Sequence, residues 1–262
     1  MAAEAGNGRA LLEVEGVVKR YGGIQAVDGA GFEVTERSVT ALIGPNGAGK
    51  TTLFNLVTGF ASPDRGSVRF DGEEVARLPS YAIARRGMVR TFQLTRALAA
   101  MPVLDNMMLA APEQPGERLR NVLLRPRAVR AREREVREQA EELLEVFGLR
   151  EKRDDYAGTL SGGQRKLLEL ARALMAQPRM LLLDEPMAGI NPTLGRRLLD
   201  HIQRLRGEEG VTFLFVEHDM EVVMNHSDRV VVMAEGRVIA TGEPREVRSD
   251  PAVVDAYLGS PA

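Results

Sequence analysis

The segment GPNGAGKT, residues 44–51, has the residue types and spacing of a loop that binds phosphate, G-x-x-x-x-G-K-[ST]. In such a loop, glycines let backbone N–H groups surround phosphate oxygens, the lysine reaches the β- and γ-phosphates, and the hydroxyl binds Mg²⁺. Lysine is rare in this chain, because almost all of its 35 basic residues are arginine. We therefore predict a nucleotide site formed by Gly44, Pro45, Asn46, Gly47, Ala48, Gly49, Lys50, Thr51 and Thr52.

An acidic pair ends the apolar run in LLLDEP, residues 181–186. A buried strand that ends in Asp184 places its carboxylate close to a magnesium ion bound with the nucleotide. Glu185, the next residue, can then orient or deprotonate a water molecule that attacks a phosphate. Alone, the pair would indicate an acidic surface turn. Beside a phosphate-binding loop it indicates hydrolysis of the nucleotide.

A second candidate anion site is LSGGQ, residues 160–164, directly before a predicted helix. Ser161 can cap that helix, while Gly162 and Gly163 leave N–H groups free at its positive end, where anions bind. Plain helix capping explains the same residues without any ligand. The segment alone leaves open why one chain would hold two phosphate sites.

These segments need secondary structure to position them. SVTALIG predicts a buried strand before the glycine loop, and TLFNLVTG predicts a helix that ends at Gly59. MLLLDE and VTFLFVEH predict two more buried strands, and between them Asn191 and Pro192 open a helix as N-cap and first residue. Alternation in LLEVEGVVKRYGG and GSVRFDG predicts a peripheral antiparallel β part. Buried strands that alternate with helices predict an α/β fold with a largely parallel sheet.

The segment from about 94 to 160 lacks strand patterns and contains several prolines. Its clearest helix carries apolar residues at helical spacing, namely Val136, Ala140, Leu143, Leu144 and Phe147. Gly148 is the predicted end of this helix. We predict a helical subdomain at 94–160, inserted into a discontinuous α/β core of 11–93 and 161–262.

Composition excludes several classes of protein. A formal charge of −2 gives no overall attraction to nucleic acid or anionic lipid, and glutamates within LLRPRAVRARERE favour a solvated helical face. The absence of cysteine excludes disulfides and thiolate metal sites. No apolar run approaches the roughly 18 residues of a membrane span, and MAAEAGNGRA lacks the pattern of a signal peptide. We expect a soluble protein that binds no nucleic acid; composition leaves a membrane partner open.

Together, GPNGAGKTT, LSGGQ and LLLDEP resemble the nucleotide-binding subunit of ATP-binding cassette (ABC) transporters, over about residues 11–259. The resemblance implies a P-loop NTPase core that binds ATP and Mg²⁺ and hydrolyses ATP. It also implies a head-to-tail pair of subunits, in which LSGGQ of one covers the ATP held by the other. The residues implied in that contact are Ser161, Gly162, Gly163 and Gln164. The second anion site is thus expected to serve the ATP of the partner.

The resemblance also implies roles for single residues outside these three motifs. Tyr21 in VKRYGG is similar to the aromatic residue that stacks on adenine, although a tyrosine packed at a strand end fits the same pattern. Gln93 in VRTFQ is similar to a glutamine that contacts Mg²⁺, and His218 to a histidine that contacts the γ-phosphate. Asn191 stands where many cassettes have aspartate. The resemblance implies catalytic roles for Glu185, His218 and Lys50, and metal binding by Thr51, Gln93 and Asp184.

Within the family, VRTFQ, AGINP, VEHDM and the tail DPAVVDAYLG are similar to the ATPase subunit of branched-chain amino acid uptake systems. That resemblance implies a second ATPase subunit (a related cassette or a copy of this chain), transmembrane permease subunits and, indirectly, an extracytoplasmic substrate-binding protein. It implies a position at the cytoplasmic face of the plasma (inner) membrane. The alternatives are an ABC subunit for urea, amides or lipopolysaccharide, a soluble ABC ATPase that assembles proteins or clusters, and a P-loop kinase.

Overall fold

The computed structural model of the protein describes residues 8–91, 99–112, 114–117 and 119–258. In chain order, the strands of this part are β1 (Ala10–Tyr21), β2 (Ile24–Thr35), β3 (Val39–Ile43), β4 (Arg65–Phe70), β5 (Glu73–Glu74), β6 (Met88–Arg90), β7 (Met180–Asp184), β8 (Thr212–Val216), β9 (Arg229–Ala234) and β10 (Arg237–Gly242). The α-helices are α1 (Lys50–Val57), α2 (Ser80–Ala84), α3 (Val103–Leu109), α4 (Leu119–Leu124), α5 (Pro126–Val146), α6 (Gly162–Leu174), α7 (Pro192–Glu208), α8 (Met220–His226), α9 (Pro244–Arg248) and α10 (Pro251–Leu258).

The chain divides into two compact units. The first comprises the described residues of 1–90, 179–187 and 202–262, and the second those of 91–178 and 188–201. The first unit contains every strand, while the second is helical. No described helix is both long and apolar enough to cross a lipid bilayer.

A six-stranded sheet with the order β10-β9-β3-β8-β7-β6 forms the base of the first unit, and β10 is its antiparallel strand. β3 and β8 are buried along their whole length, as their apolar, β-branched sequences predict. The sequence does not predict β6, because three residues are too few to reveal a pattern. The α/β fold with a largely parallel sheet is confirmed.

A second sheet, of four strands, has the order β2-β1-β4-β5 and is antiparallel throughout. β1 and β2 form a hairpin in which Tyr21 pairs with Ile24, so that Gly22 and Gly23 make the turn. Gly22 has a φ of +59°, which suits the two-residue turns that join twisted strands. This sheet is the antiparallel β part that the sequence predicts.

One apolar core joins the two sheets of the first unit to α1. Val14 of the antiparallel sheet, Leu42 and Leu214 of the parallel sheet and Phe54 of α1 all lie buried in it. Full burial of a large apolar side chain stabilises a fold by about 1.5–3 kcal/mol, so this cluster fixes α1 and both sheets together. Gly59, with a φ of +72°, lies just beyond the end of α1, which confirms it as the predicted stop.

The helical unit has α5 as its longest helix. α5 buries Val136, Ala140 and Leu144 on one face, and Gly148 follows with a φ of +65°, both as predicted. The unit is larger than the predicted subdomain of 94–160, because residues 161–178 and 188–201 also belong to it. Within this unit, Gly163 of α6 lies close to Leu194 of α7. The division into a core of 11–93 and 161–262 and a subdomain of 94–160 stays a prediction.

Candidate active site

Three loops of the candidate site leave the same edge of the parallel sheet. β3, β8 and β7 are neighbours, and both Leu42 and Asp184 pair with Val216. Because parallel strands end at one edge, the glycine loop after β3, the acidic pair after β7 and the loop after β8 lie together. The carboxylates of Asp184 and Glu185 both interact with the Lys50 ammonium. The folded chain thus brings together four predicted site residues, Lys50, Asp184, Glu185 and His218.

Backbone geometry explains the glycines at both ends of the glycine loop. Gly44 has a φ of +149°, and a Cβ on it would overlap the carbonyl oxygen of Met233. Gly49 has a φ of +96°, and a Cβ there would overlap the carbonyl oxygen of Ala26. Any other residue would therefore collide with backbone at either position. The resulting loop leads into the N-terminus of α1, an arrangement of N–H groups that suits phosphate.

Lys50, the first residue of α1, is 7% exposed. Its Nζ donates hydrogen bonds to the carbonyl oxygens of Gly44, at 2.6 Å, and Pro45, at 2.9 Å. Burial lowers the pKa of Lys50, while the nearby carboxylates of Asp184 and Glu185 raise it in part. A buried ammonium is stabilised by a charged oxygen partner, so the loop and its lysine fit a phosphate group.

Glu185 and His218 form a pair at this edge of the sheet. His218 Nε2 donates a hydrogen bond of 2.7 Å to Glu185 Oε1, and each side chain is close to half-exposed. Glu185 has a φ of +49°, which is uncommon for a residue with a side chain. Water can reach this carboxylate, which can accept a proton while the imidazole holds its orientation.

Arg90 is a site residue that the sequence did not reveal. Its Nη2 donates to Asp184 Oδ2 and its Nη1 to Asn55 Oδ1, both at 2.7 Å. The rings of Phe54 and Phe60 lie 5.6 and 5.9 Å from its Cζ. With 11% of its side chain exposed, the guanidinium fixes the Asp184 carboxylate against α1. These partners lie 35 and 94 residues away, and no local pattern links them.

Glu217 is a second site residue that the sequence did not reveal. It is buried, with 4% of its surface exposed. Its carboxylate accepts hydrogen bonds from the backbone N–H of Met187, at 2.8 Å, and of His218, at 3.2 Å. Burial raises the pKa of Glu217, and the backbone hydrogen bonds lower it in part. The sequence places Glu217 in VEHDM, but Met187 is 30 residues distant, so only the folded chain reveals the contact.

Four further predicted site residues are Tyr21, Thr51, Thr52 and Gln93. Tyr21 ends β1 with half of its side chain exposed, and Lys19 Nζ lies 5.5 Å from its ring. Thr51 is exposed on the first turn of α1, and Thr52 is half-buried. Gln93 lies outside the described residues. The ligand contacts of all four stay predictions.

LSGGQ begins α6 in the helical unit. Ser161 Oγ accepts a hydrogen bond of 3.3 Å from the N–H of Gln164, whose Oε1 accepts one of 2.9 Å from the N–H of Ser161. This reciprocal capping box confirms Ser161 as the cap and shows that Gln164 takes part. Gly163 is buried, since a Cβ there would lie 2.9 Å from Leu194 Cδ1, whereas Gly162 is exposed. The Ser161 hydroxyl keeps its proton available for an anion.

Asn191 also has the capping role that the sequence predicts. Its Oδ1 accepts a hydrogen bond of 2.9 Å from the N–H of Leu194, and Pro192 is the first residue of α7. The helix therefore begins with a side-chain acceptor and a residue that lacks an N–H group to satisfy. Asparagine supplies this cap as well as aspartate does.

Two family models match the chain. One, described as ABC transporter, matches residues 27–188, and the other, described as branched-chain amino acid ATP-binding cassette transporter, matches residues 237–262. The chain is 45% identical to the high-affinity branched-chain amino acid transport ATP-binding protein BraF of Pseudomonas aeruginosa, over 96% of this chain and 98% of that protein. It is 41% identical to LivG of Escherichia coli, which has the same description, over 95% of this chain and 98% of that protein.

Solved structures agree with these matches. The chain is similar to a nucleotide-free ATP-binding cassette from an ABC transporter, with a TM-score of 0.83 and 39% identity over 96% of this chain and 100% of that one. It is also similar to the ADP conformation of an ATP-binding cassette of an ABC transporter, with a TM-score of 0.82 and 37% identity over 96% of this chain and 100% of that one.

The Arg90 contacts predict a loss of stability on substitution. Arg90→Met should lower the free energy of unfolding by about 2–3 kcal/mol, because it leaves the Asp184 carboxylate without its largely buried partner. The matched control is Arg69→Met, whose guanidinium is 42% exposed beside Glu13 and Glu15 and should contribute less than about 1 kcal/mol. Urea unfolding of both variants measures the difference, and equal losses would contradict the role of Arg90.

Proposed function

The chain belongs to the ABC transporter family, in which it is an ATP-binding and ATP-hydrolysing subunit. We propose that it powers the import of branched-chain amino acids. The observation that carries this proposal is the match of the C-terminal residues 237–262 to the branched-chain cassette model. Relatives that are described as branched-chain amino acid transport ATP-binding proteins, and that align over almost their whole length, support it.

ATP binds at the carboxyl edge of the parallel sheet. Lys50 exchanges the carbonyl oxygens of Gly44 and Pro45 for β- and γ-phosphate oxygens, and N–H groups of the glycine loop bind the remaining phosphate oxygens. The exposed ring of Tyr21 stacks on adenine. When bound, Mg²⁺ neutralises phosphate charge. The residues that would hold it or its water shell are Thr51, Gln93 and Asp184.

Glu185 and His218 carry the chemistry of hydrolysis. The Glu185 carboxylate orients the attacking water and accepts its proton, and its half-exposed position permits that contact. His218 donates to the same carboxylate and contacts the γ-phosphate from the loop after β8. Lys50 stabilises the negative charge of the transferred phosphoryl group.

Glu185→Gln tests the role of the carboxylate. The variant should bind ATP with a Kd within about threefold of the wild type but hydrolyse it at least about 100-fold more slowly, because an amide cannot accept the proton of water. Glu235→Gln is a matched control, since Glu235 has the same φ of +49° in the turn between β9 and β10. Steady-state ATPase assays and equilibrium ATP binding provide the measurements. Near-normal turnover in Glu185→Gln would contradict a catalytic role for Glu185.

Two ATPase subunits, either two copies of this chain or this chain with a related cassette, close head to tail around two ATP molecules. The capping box leaves the Ser161 hydroxyl and the exposed start of α6 free to contact an anion. In the pair, Ser161 and Gly162 cover the γ-phosphate that the partner holds. Closure excludes water and strengthens the electrostatic interactions that stabilise transferred charge.

Ser161→Arg tests this contact between subunits. It should abolish ATP hydrolysis, because a long cation at the start of α6 blocks closure, while ATP affinity of the isolated subunit stays within about threefold. Ser249→Arg, at an exposed serine of the first unit, should change neither quantity. Loss of ATP binding in monomeric Ser161→Arg would instead mean that the serine acts within its own subunit.

The subunit acts at the cytoplasmic face of the plasma membrane, where it binds transmembrane permease subunits. Closing and opening of the ATPase pair moves the inserted helices, and these push on the permeases. An extracytoplasmic binding protein delivers the amino acid to the other side. Rival assignments are a cassette for urea, amides or lipopolysaccharide and a soluble ATPase that assembles proteins.

Reconstitution distinguishes these assignments. The chain should copurify with the permeases encoded beside it, and vesicles that contain the assembled complex and its binding protein should accumulate leucine, isoleucine or valine in an ATP-dependent manner. Vesicles with Glu185→Gln supply the control for ATP dependence. Uptake of urea or an amide in place of these amino acids would change the cargo, and an ATPase that never associates with permeases would favour the soluble alternative.

A further inference from the structure

The backbone at Glu185 adopts a conformation that needs outside support. Its φ of +49° lies in the left-handed region, where a side chain crowds the following carbonyl oxygen. Such conformations persist where the surrounding structure enforces them, and they concentrate at functional sites. Contacts with the end of β8 hold the turn 185–187 in place.

Two hydrogen bonds hold this turn to the end of β8. The N–H of Glu185 donates to the carbonyl oxygen of Val216 at 3.0 Å. The N–H of Met187, two residues on, donates to Glu217 Oε1 at 2.8 Å. The first bond continues the pairing of neighbouring strands, whereas the second depends on a single side chain. Glu217 therefore supplies the side-chain support of the turn.

The same carboxylate also holds the other half of the Glu185–His218 pair. Its second oxygen, Oε2, accepts a hydrogen bond of 3.2 Å from the N–H of His218. Glu217 thus binds the backbone on both sides of the 2.7 Å bond between the two catalytic side chains. Its 4% exposure keeps competing water away from these contacts.

A carboxylate in this position is costly unless it has a specific use. Burial disfavours the charged form, and this raises the pKa of Glu217. The charge of Glu185 nearby disfavours it further. A neutral or apolar residue would avoid both costs but could not accept hydrogen bonds from two loops with two oxygens.

We infer that Glu217 is a positioning residue for ATP hydrolysis, which fixes the left-handed turn at Glu185 and the backbone of His218 so that the two side chains meet. In this role Glu217 acts through Glu185 and not by contact with the nucleotide. The inference rests on the proposed roles of Glu185 and His218. A purely structural Glu217 would support the fold without a specific effect on turnover.

The test is a double-mutant cycle between Glu217→Gln and Glu185→Gln. Glutamine retains the size of the side chain and one acceptor oxygen, but its amide nitrogen cannot accept from the loop after β8. Glu217→Gln should lower kcat about tenfold with the KM for ATP within about twofold. In the Glu185→Gln background the same change should lower the residual rate less than about twofold, because the residue through which it acts is already disabled. Glu221→Gln, an exposed glutamate in the first turn of α8, is the matched control.

Amide hydrogen exchange at His218 gives an independent readout, because its N–H loses the acceptor that Glu217 Oε2 supplies. Exchange should be faster in Glu217→Gln than in the wild type, and unchanged in Glu221→Gln. Should Glu217→Gln fail to fold, Glu217→Asp serves in the same assays, because it keeps the charge but is too short to reach both loops.

The inference is overturned by a kcat that Glu217→Gln leaves unchanged, or by an equal loss in both backgrounds. These results differ from failure of the proposed function, in which the wild type would not hydrolyse ATP or Glu185→Gln would match it.

Discussion

Parallel pairing of β3, β8 and β7 is the constraint on which the site depends. The register aligns Leu42 with Val216 and Val216 with Asp184, so the three strands end level at one edge. Each strand is followed at once by a loop that carries predicted site residues, and the sheet brings these loops together. The buried strands hold that alignment because slippage would expose their apolar side chains and break their ladder hydrogen bonds.

Charge at this edge is balanced by specific partners. The Lys50 ammonium donates hydrogen bonds to two carbonyl oxygens, and Arg90 donates one to Asp184. Glu217 accepts hydrogen bonds from the N–H groups of two loops. A buried charge without a partner would destabilise the fold, so each of these contacts serves stability as well as position. The Glu185–His218 pair is different, since it stays accessible to water, as the proposed proton transfer requires.

Much of this could be predicted because it is encoded within a few neighbouring residues. The glycine loop needs glycine for its positive φ angles, the Ser161 cap bonds a residue three positions on, and Asn191 caps α7 in the same way. Apolar runs in the sequence predict the buried strands. β6 and the full extent of the helical unit escaped prediction, the first because it is short and the second because its packing joins residues that are distant in the chain.

The sequence by itself determined the phosphate loop, the acidic pair, the helix caps and the α/β class, since local sterics and hydrogen bonds decide them. Tertiary structure alone decided that Arg90 holds Asp184, that Glu217 supports Met187, and that Glu185 is left-handed. Arginine and glutamate are common residues whose side chains carry no signature of their partners. Their roles arise from contacts across 30 to 94 residues of chain, which exist only once the sheet has formed.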